Sequence, residues 1–233
     1  MNTGVRKHLA WREATVVDAR SESSSARTLV LDVPGWGDHL GGQHLDLRLT
    51  AEDGYQAVRS YSLSSGPGEK PQITVEAVPD GEVSLFIVED VEISDTFEVR
   101  GPIGGYFVWK DDSDLPLLLI GGGAGIAPLR SIWRAAAGTV PVKVLYSAQT
   151  SERVIFGEEL SANDSISARI HLTRENIDGY SHGRIDQAAI DEAVRGTQPS
   201  VFVCGPTAFV EATATYLVAA GVDPKAIRTE RFG

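Results

Sequence analysis

Leu117-Leu118-Leu119-Ile120 is an unbroken apolar run that leads straight into Gly121-Gly122-Gly123-Ala124-Gly125-Ile126-Ala127-Pro128. A strand that is apolar on both faces belongs in a sheet covered on both sides, which usually means a parallel one. Leu129, Ile132, Trp133 and Ala136 then recur at helical spacing, so an amphipathic helix follows the glycines. A strand, a glycine loop and a helix in that order let the backbone approach a phosphate closely. The free N–H groups at the helix start then hold the anion. Pro128 suits the first helical position, where an N–H is dispensable. The plainer reading is a tight turn that merely packs helix on sheet, but three successive glycines cost too much backbone entropy to be routine filler.

The alternation continues to the end of the chain. Strands are expected at 142–146, 168–172, 201–203 and 227–231, with helices at 152–160, 186–194 and 207–220. Such alternation gives a doubly wound parallel sheet. The first half has a different rhythm. Leu45-Asp46-Leu47-Arg48-Leu49 and Ile73-Thr74-Val75-Glu76-Ala77-Val78 alternate with period two, and glycine and proline clusters at 34–37, 41–42, 64–68 and 101–105 separate the runs. Short alternating strands with turn signals indicate an antiparallel barrel or sandwich, with one helix at 82–88. The expected fold class is therefore β + α/β: an N-terminal antiparallel β-barrel over 1–110, then a doubly wound parallel α/β domain over 111–233. The boundary falls in the short charged stretch 110–114.

Composition narrows the chemistry. The 233 residues suffice for two domains of about 100–120 residues each. No run approaches the roughly 18 apolar residues that span a bilayer, and residues 1–10 lack the apolar stretch of a secretory signal. The expected location is the cytoplasm. The net charge is −11, with 10 basic and 17 acidic residues in 1–110 and 11 basic and 15 acidic in 111–233. Both halves would repel nucleic acid and anionic membranes. Cys204 is the single cysteine, so a disulfide within the chain and a cluster on four thiolates are excluded. The five histidines, His8, His39, His44, His171 and His182, show no metal-ligand spacing; no metal is expected.

The glycine loop departs from the G-x-G-x-x-G fingerprint, since Pro128 stands in place of its third glycine. The fingerprint also expects an acid at the end of the second strand, holding the ribose hydroxyls of NAD. Here that strand ends Tyr146-Ser147-Ala148-Gln149-Thr150. The missing acid favours NADP over NAD. Arg153 and Arg174 are candidate partners for its 2′-phosphate, although each taken alone reads more readily as a surface arginine. Ser147 is grouped with the cofactor-binding residues.

Six short motifs, in order from about position 42 to the C-terminus, resemble the ferredoxin–NADP reductase family of two-domain flavoproteins. Arg59-x-Tyr61-Ser62 resembles its flavin signature, and Gly81-Glu82-Val83-Ser84 its pyrophosphate turn. Gly101-Pro102-Ile103-Gly104-x-x-Phe107 resembles the end of its barrel, and Gly123-x-Gly125-Ile126-Ala127-Pro128 its dinucleotide loop. Cys204-Gly205-Pro206 is similar to its nicotinamide-site motif, and Glu230-Arg231-Phe232-Gly233 to its C-terminal signature.

The resemblance implies FAD and NADP as cofactors, with NAD possible. Arg59 would bind flavin phosphate through paired bonds. Tyr61 would pack on the flavin with its hydroxyl toward the ribityl chain, and Ser62 would bond flavin N5. Strict alternation puts Arg59 and Tyr61 on one face and Ser62 on the other, so either the strand ends near Ser62 or its main chain makes that contact. Ser60, Val75, Gly81, Glu82, Val83 and Ser84 complete the implied flavin-binding set. Gly123, Ala124, Gly125, Ile126, Pro128, Cys204, Gly205 and Pro206 form the implied dinucleotide-binding set. Ser62, Cys204 and Glu230 are the candidate catalytic residues, Cys204 by orienting the nicotinamide edge. Phe232 would cover the flavin ring or pack near it; Gly233 follows, so the aromatic is not the last residue.

The activity implied is hydride transfer between NAD(P)H, with NADPH favoured, and bound FAD, followed by single-electron transfer to a separate redox protein: a ferredoxin, a flavodoxin or an oxygenase component. Gln149 stands where family members that use NADP often have arginine, which counts against that preference. Two other readings stay open. One is an NAD(P)H:flavin reductase with free flavin as substrate. The other is a non-catalytic, flavin-bearing electron-transfer subunit. The oligomeric state is open, and a monomer is compatible with the sequence.

Overall fold

A computed structural model describes residues 9–50, 54–111 and 114–232. The N-terminal segment through His8, residues 51–53, part of the charged link at 110–114, and Gly233 lie outside the described residues.

The first half holds β1 (Arg12–Ser21), β2 (Ala26–Asp32), β3 (His44–Thr50), β4 (Gln56–Ser62), β5 (Gln72–Glu76), α1 (Glu82–Glu89) and β6 (Thr96–Ile103). The strands form one antiparallel sheet in the order β4-β3-β6-β1-β2-β5. It curls until its edges meet: Leu63 bridges Ile73, and the Ser64 N–H donates to the Gln72 carbonyl at 2.8 Å. Curling removes the open edge that a flat sheet would expose. Leu45 and Leu47, with Ile73 and Val75, point into the core, and α1 closes it with Val83 and Ile87. The glycine–proline cluster expected to end a run at 101–105 partly belongs to a strand, because β6 continues through Gly101 and Pro102 to Ile103.

The second half holds β7 (Leu117–Gly122), α2 (Ile126–Ala135), β8 (Val142–Ala148), α3 (Gly157–Ala162), β9 (Ile166–Leu172), β10 (Ser181–His182), α4 (Gln187–Val194), β11 (Ser200–Pro206), α5 (Thr207–Ala219) and β12 (Ile227–Phe232). The sheet is parallel throughout, in the order β10-β9-β8-β7-β11-β12. Leu117 and Leu119 face α2 and α3, while Leu118 and Ile120 face α4 and α5. Both faces are covered, which is why the strand is apolar without alternation. Two local expectations change. The helix expected at 152–160 is a 3-10 turn, Ser151–Arg153, and then α3, separated by Phe156 in a left-handed conformation (φ 60°) that no α-helix can pass through. Pro128 is the third residue of α2, still within the first turn, where N–H groups lack intrahelical partners.

Helix α2 joins the halves. Eight of its ten residues are buried, because the sheet covers one side and barrel loops the other. The Arg130 guanidinium, 5% exposed, donates to the Ser64 carbonyl and the Gln72 side chain at 3.1 Å each, and to Glu159 at 2.7 Å. Ser131 donates to the Ser65 carbonyl at 2.6 Å, and Arg134 bonds both Glu69 and Glu159. Gly41 permits the close approach: a Cβ there would lie 2.8 Å from the Ser131 carbonyl.

Removing Arg130 takes its donor from the Ser64 carbonyl and leaves Glu159 with Trp133 and Arg134 alone. Arg130→Ala is expected to lower the unfolding free energy by about 3 kcal/mol, read from urea denaturation. Burial alone would raise the Glu159 carboxyl, but Arg130, Trp133 and Arg134 outweigh it and hold it below the ordinary carboxylate range. A lowered folded-state value contributes stability that is present above the unfolded value, about 4.3, and is lost as pH falls through the folded one. Glu159→Gln should therefore flatten the acid limb of a stability–pH curve.

Candidate functional site

Two adjoining cavities lie where the barrel meets the carboxyl ends of the parallel strands. The larger, about 760 Å³, is lined by β4, β5, the start of α1 and the end of β12. The smaller, about 240 Å³, lies over the ends of β7, β8 and β11. That is the crevice in which open α/β sheets take their ligands, beside the reversal of strand order between β7 and β11. Glu76, Ala124 and Phe232 line both cavities.

Arg59, Ser60, Tyr61 and Ser62 all line the larger cavity. Ser62 is the last residue of β4, paired with His44. Arg59 is exposed, its guanidinium donates to its neighbour's carbonyl, Val58, at 2.9 Å, and no carboxylate among the described residues pairs with it. Burial pushes the Tyr61 phenol up to about 12, against a smaller opposing pull from Arg59, so its O–H stays protonated. Ser60 is engaged elsewhere, donating to Asp46 at 2.6 Å. Ser62 donates to Glu230 at 3.4 Å, linking the barrel to the last strand. Burial raises the Glu230 carboxyl, and the Ser62 bond only partly offsets this.

Val75, Gly81, Glu82, Val83 and Ser84 line the same cavity. Gly81 caps α1, and no side chain caps its first N–H groups. Ser84 closes the turn instead, accepting from the Val78 N–H at 3.2 Å and donating to the Gly81 carbonyl at 2.9 Å. A guanidinium without an acid partner, a protonated phenol and uncapped helix amides are a donor set suited to a phosphate-bearing flavin.

Gly123, Ala124, Ser147, Arg153 and Pro206 line the smaller cavity, with Phe232 at the boundary. Gly125, Ile126, Pro128, Cys204 and Gly205 are not among the residues lining either cavity. Gly125 lies against the Cys204 carbonyl, leaving no room for a Cβ. Cys204 is fully buried among apolar side chains that include Ile126, Phe107 and Phe202. Arg174 is exposed and lines neither cavity. Among the described residues, no group of three His, Cys, Asp or Glu could hold a metal ion, and no helix is long and apolar enough to cross a membrane.

Among the lining residues not marked in the sequence are His44, Phe209 and Glu76. His44 begins a strand whose alternation placed it outward. Phe209 is the third residue of α5, a helix to which the sequence reading gave no site residue. Glu76 read as a polar position within the alternating run 73–78, yet it ends β5 and bonds the glycine loop. The period-two pattern reports a face, not the second domain that covers it.

Comparison with known proteins agrees with this geometry. Residues 13–108 match the model of the oxidoreductase FAD-binding domain, and residues 119–215 that of the oxidoreductase NAD-binding domain. The electron transfer component of 2-halobenzoate 1,2-dioxygenase from Burkholderia cepacia is 27% identical over 98% of this chain and 69% of its own. The glycine betaine monooxygenase reductase subunit of Chromohalobacter salexigens is 32% identical over 82% of this chain. This chain spans just 55% of that relative's length. The flavohem-like FAD/NAD binding domain of nitric oxide dioxygenase from Vibrio cholerae O1 biovar El Tor superposes with a TM-score of 0.83 at 25% identity, over 95% of this chain and 98% of that one.

The buried thiol gives a direct check on this arrangement. Burial raises the Cys204 thiol well above its ordinary value, reinforced by the Glu230 charge, and thiolate is the reactive form. A disulfide reagent should detect no thiol in the folded protein and one after guanidinium unfolding. On these motifs, matches and paired cavities, the chain belongs to the ferredoxin–NADP reductase-like family of two-domain FAD- and NAD(P)-binding flavoprotein oxidoreductases.

Proposed function

We propose that this chain is an NAD(P)H-dependent flavoprotein reductase that passes electrons to a separate redox protein. Residues 1–110 form the FAD-binding domain and residues 111–233 the NAD(P)-binding domain. The observation that carries this reading is the adjacency of the two cavities, which share Glu76, Ala124 and Phe232 and are bridged by the Ser62–Glu230 contact.

The cofactors supply the chemistry, a hydride passing between nicotinamide and flavin; the protein supplies placement. Arg59 and the α1 amides bind the flavin phosphates. Tyr61 gives an apolar face with a protonated hydroxyl. Ser62 presents a hydroxyl to the flavin ring, and Glu230 orients it. Phe232, 38% exposed, limits water at the boundary between the cavities. The glycine loop and Arg153 receive the dinucleotide phosphates. Cys204 acts through packing, since its carbonyl sets the position of Gly125 and so of the loop. NADPH is the preferred donor, because Gln149 offers no carboxylate to repel a 2′-phosphate and Arg153 lines the cavity.

The acceptor is a ferredoxin, a flavodoxin or an oxygenase component. The similar proteins named as an electron transfer component and a reductase subunit of oxygenases support that class. With one cysteine, this chain holds no cysteine-ligated cluster of its own.

The test is anaerobic titration of FAD-loaded protein. NADPH should bleach the flavin absorbance faster than NADH at equal concentration. A protein that acquires no flavin, or whose flavin neither dinucleotide reduces, overturns the proposal; rapid loss of flavin on gel filtration would favour free flavin as substrate. Arg59→Ala should weaken flavin binding by about tenfold or more, the scale of a charge-assisted hydrogen bond. Glu230→Gln should slow flavin reduction while leaving flavin content unchanged.

A further inference from the structure

Glu76 ends β5 on the barrel, yet it reaches into the glycine loop of the other half. Its Oε2 accepts the Ala124 N–H at 3.1 Å and lies 3.3 Å from where a Cβ on Gly123 would stand. Its Oε1 accepts from the Ser25 hydroxyl at 3.4 Å and lies 3.9 Å from the Arg153 guanidinium. The side chain is 20% exposed and lines both cavities. A carboxylate thus holds one loop N–H and the one cation that lines the smaller cavity among the described residues. Those are the groups a phosphate would need.

We propose that Glu76 is an intramolecular competitor of the dinucleotide phosphates, setting the affinity of the smaller cavity by occupying the Ala124 N–H and pairing with Arg153. This rests on the reading of that cavity as the dinucleotide site. Dinucleotide binding must displace the carboxylate from the Ala124 N–H, because a single N–H cannot serve two anions and like charges repel at close range. Displacement is eased by the poor solvation of Glu76: burial raises its carboxyl above the ordinary range despite Arg153, the Ala124 N–H and Ser25. Such a competitor keeps the oxidised dinucleotide from binding too tightly to leave.

Calorimetric titration of NADP⁺ and of NAD⁺ into FAD-loaded protein tests this without turnover. Glu76→Gln should bind both about tenfold tighter. Arg153→Gln should change affinity little in the native background but weaken it severalfold in the Glu76→Gln background, because only there is the guanidinium released. Glu76→Ala carries the same expectations should Glu76→Gln fail to fold. Unchanged or weaker binding by a folded Glu76 variant overturns the proposal, as does an equal effect of Arg153→Gln in both backgrounds. If the native protein binds neither dinucleotide, the functional reading falls and this proposal with it.

Discussion

The buried Arg130 guanidinium on α2 ties together everything that lies around it. It bonds a barrel carbonyl, a barrel side chain and a carboxylate of the α/β half. A charge this buried is tolerated only when its donors are satisfied, so the two halves must keep one relative position. The glycine loop runs directly into the N-terminus of α2. Fixing the helix against the barrel therefore fixes the loop against β5, and the two cavities acquire a common boundary.

The site follows from that registration. Ser62 comes from the last residue of a barrel strand and Glu230 from the last strand of the chain, yet they are hydrogen-bonded. Glu76 comes from the barrel and holds the loop of the other half. Each contact crosses the domain interface, and neither half alone contains a complete site. A two-cofactor reaction needs this, since transfer between bound rings depends on their placement more than on any reactive side chain. Cys204 is buried, and burial raises its thiol well above the ordinary value, so it stays protonated.

Much of the architecture was legible along the chain. The change from period-two alternation to continuous apolar strands separated the barrel from the parallel sheet, because a half-covered strand alternates and a doubly covered one does not. The motif Arg59 to Ser62 located the larger cavity. Local geometry was harder to read. The interruption at Phe156 depends on one left-handed residue, and the first helical residue after the glycines is Ile126 rather than Pro128. Both are settled by packing that leaves no periodic signal.

By itself, the sequence determined two halves of different sheet type, a glycine loop in one and a motif resembling a flavin signature in the other. These are local properties: side-chain period, glycine content and short motifs act over a few residues. Tertiary structure alone decided that Glu76 meets Ala124 across 48 positions, that Ser62 meets Glu230 across 168, and that Cys204 is buried and lines neither cavity. Contacts at such separations are chosen by how the barrel docks on α2, and no window along the chain contains both partners.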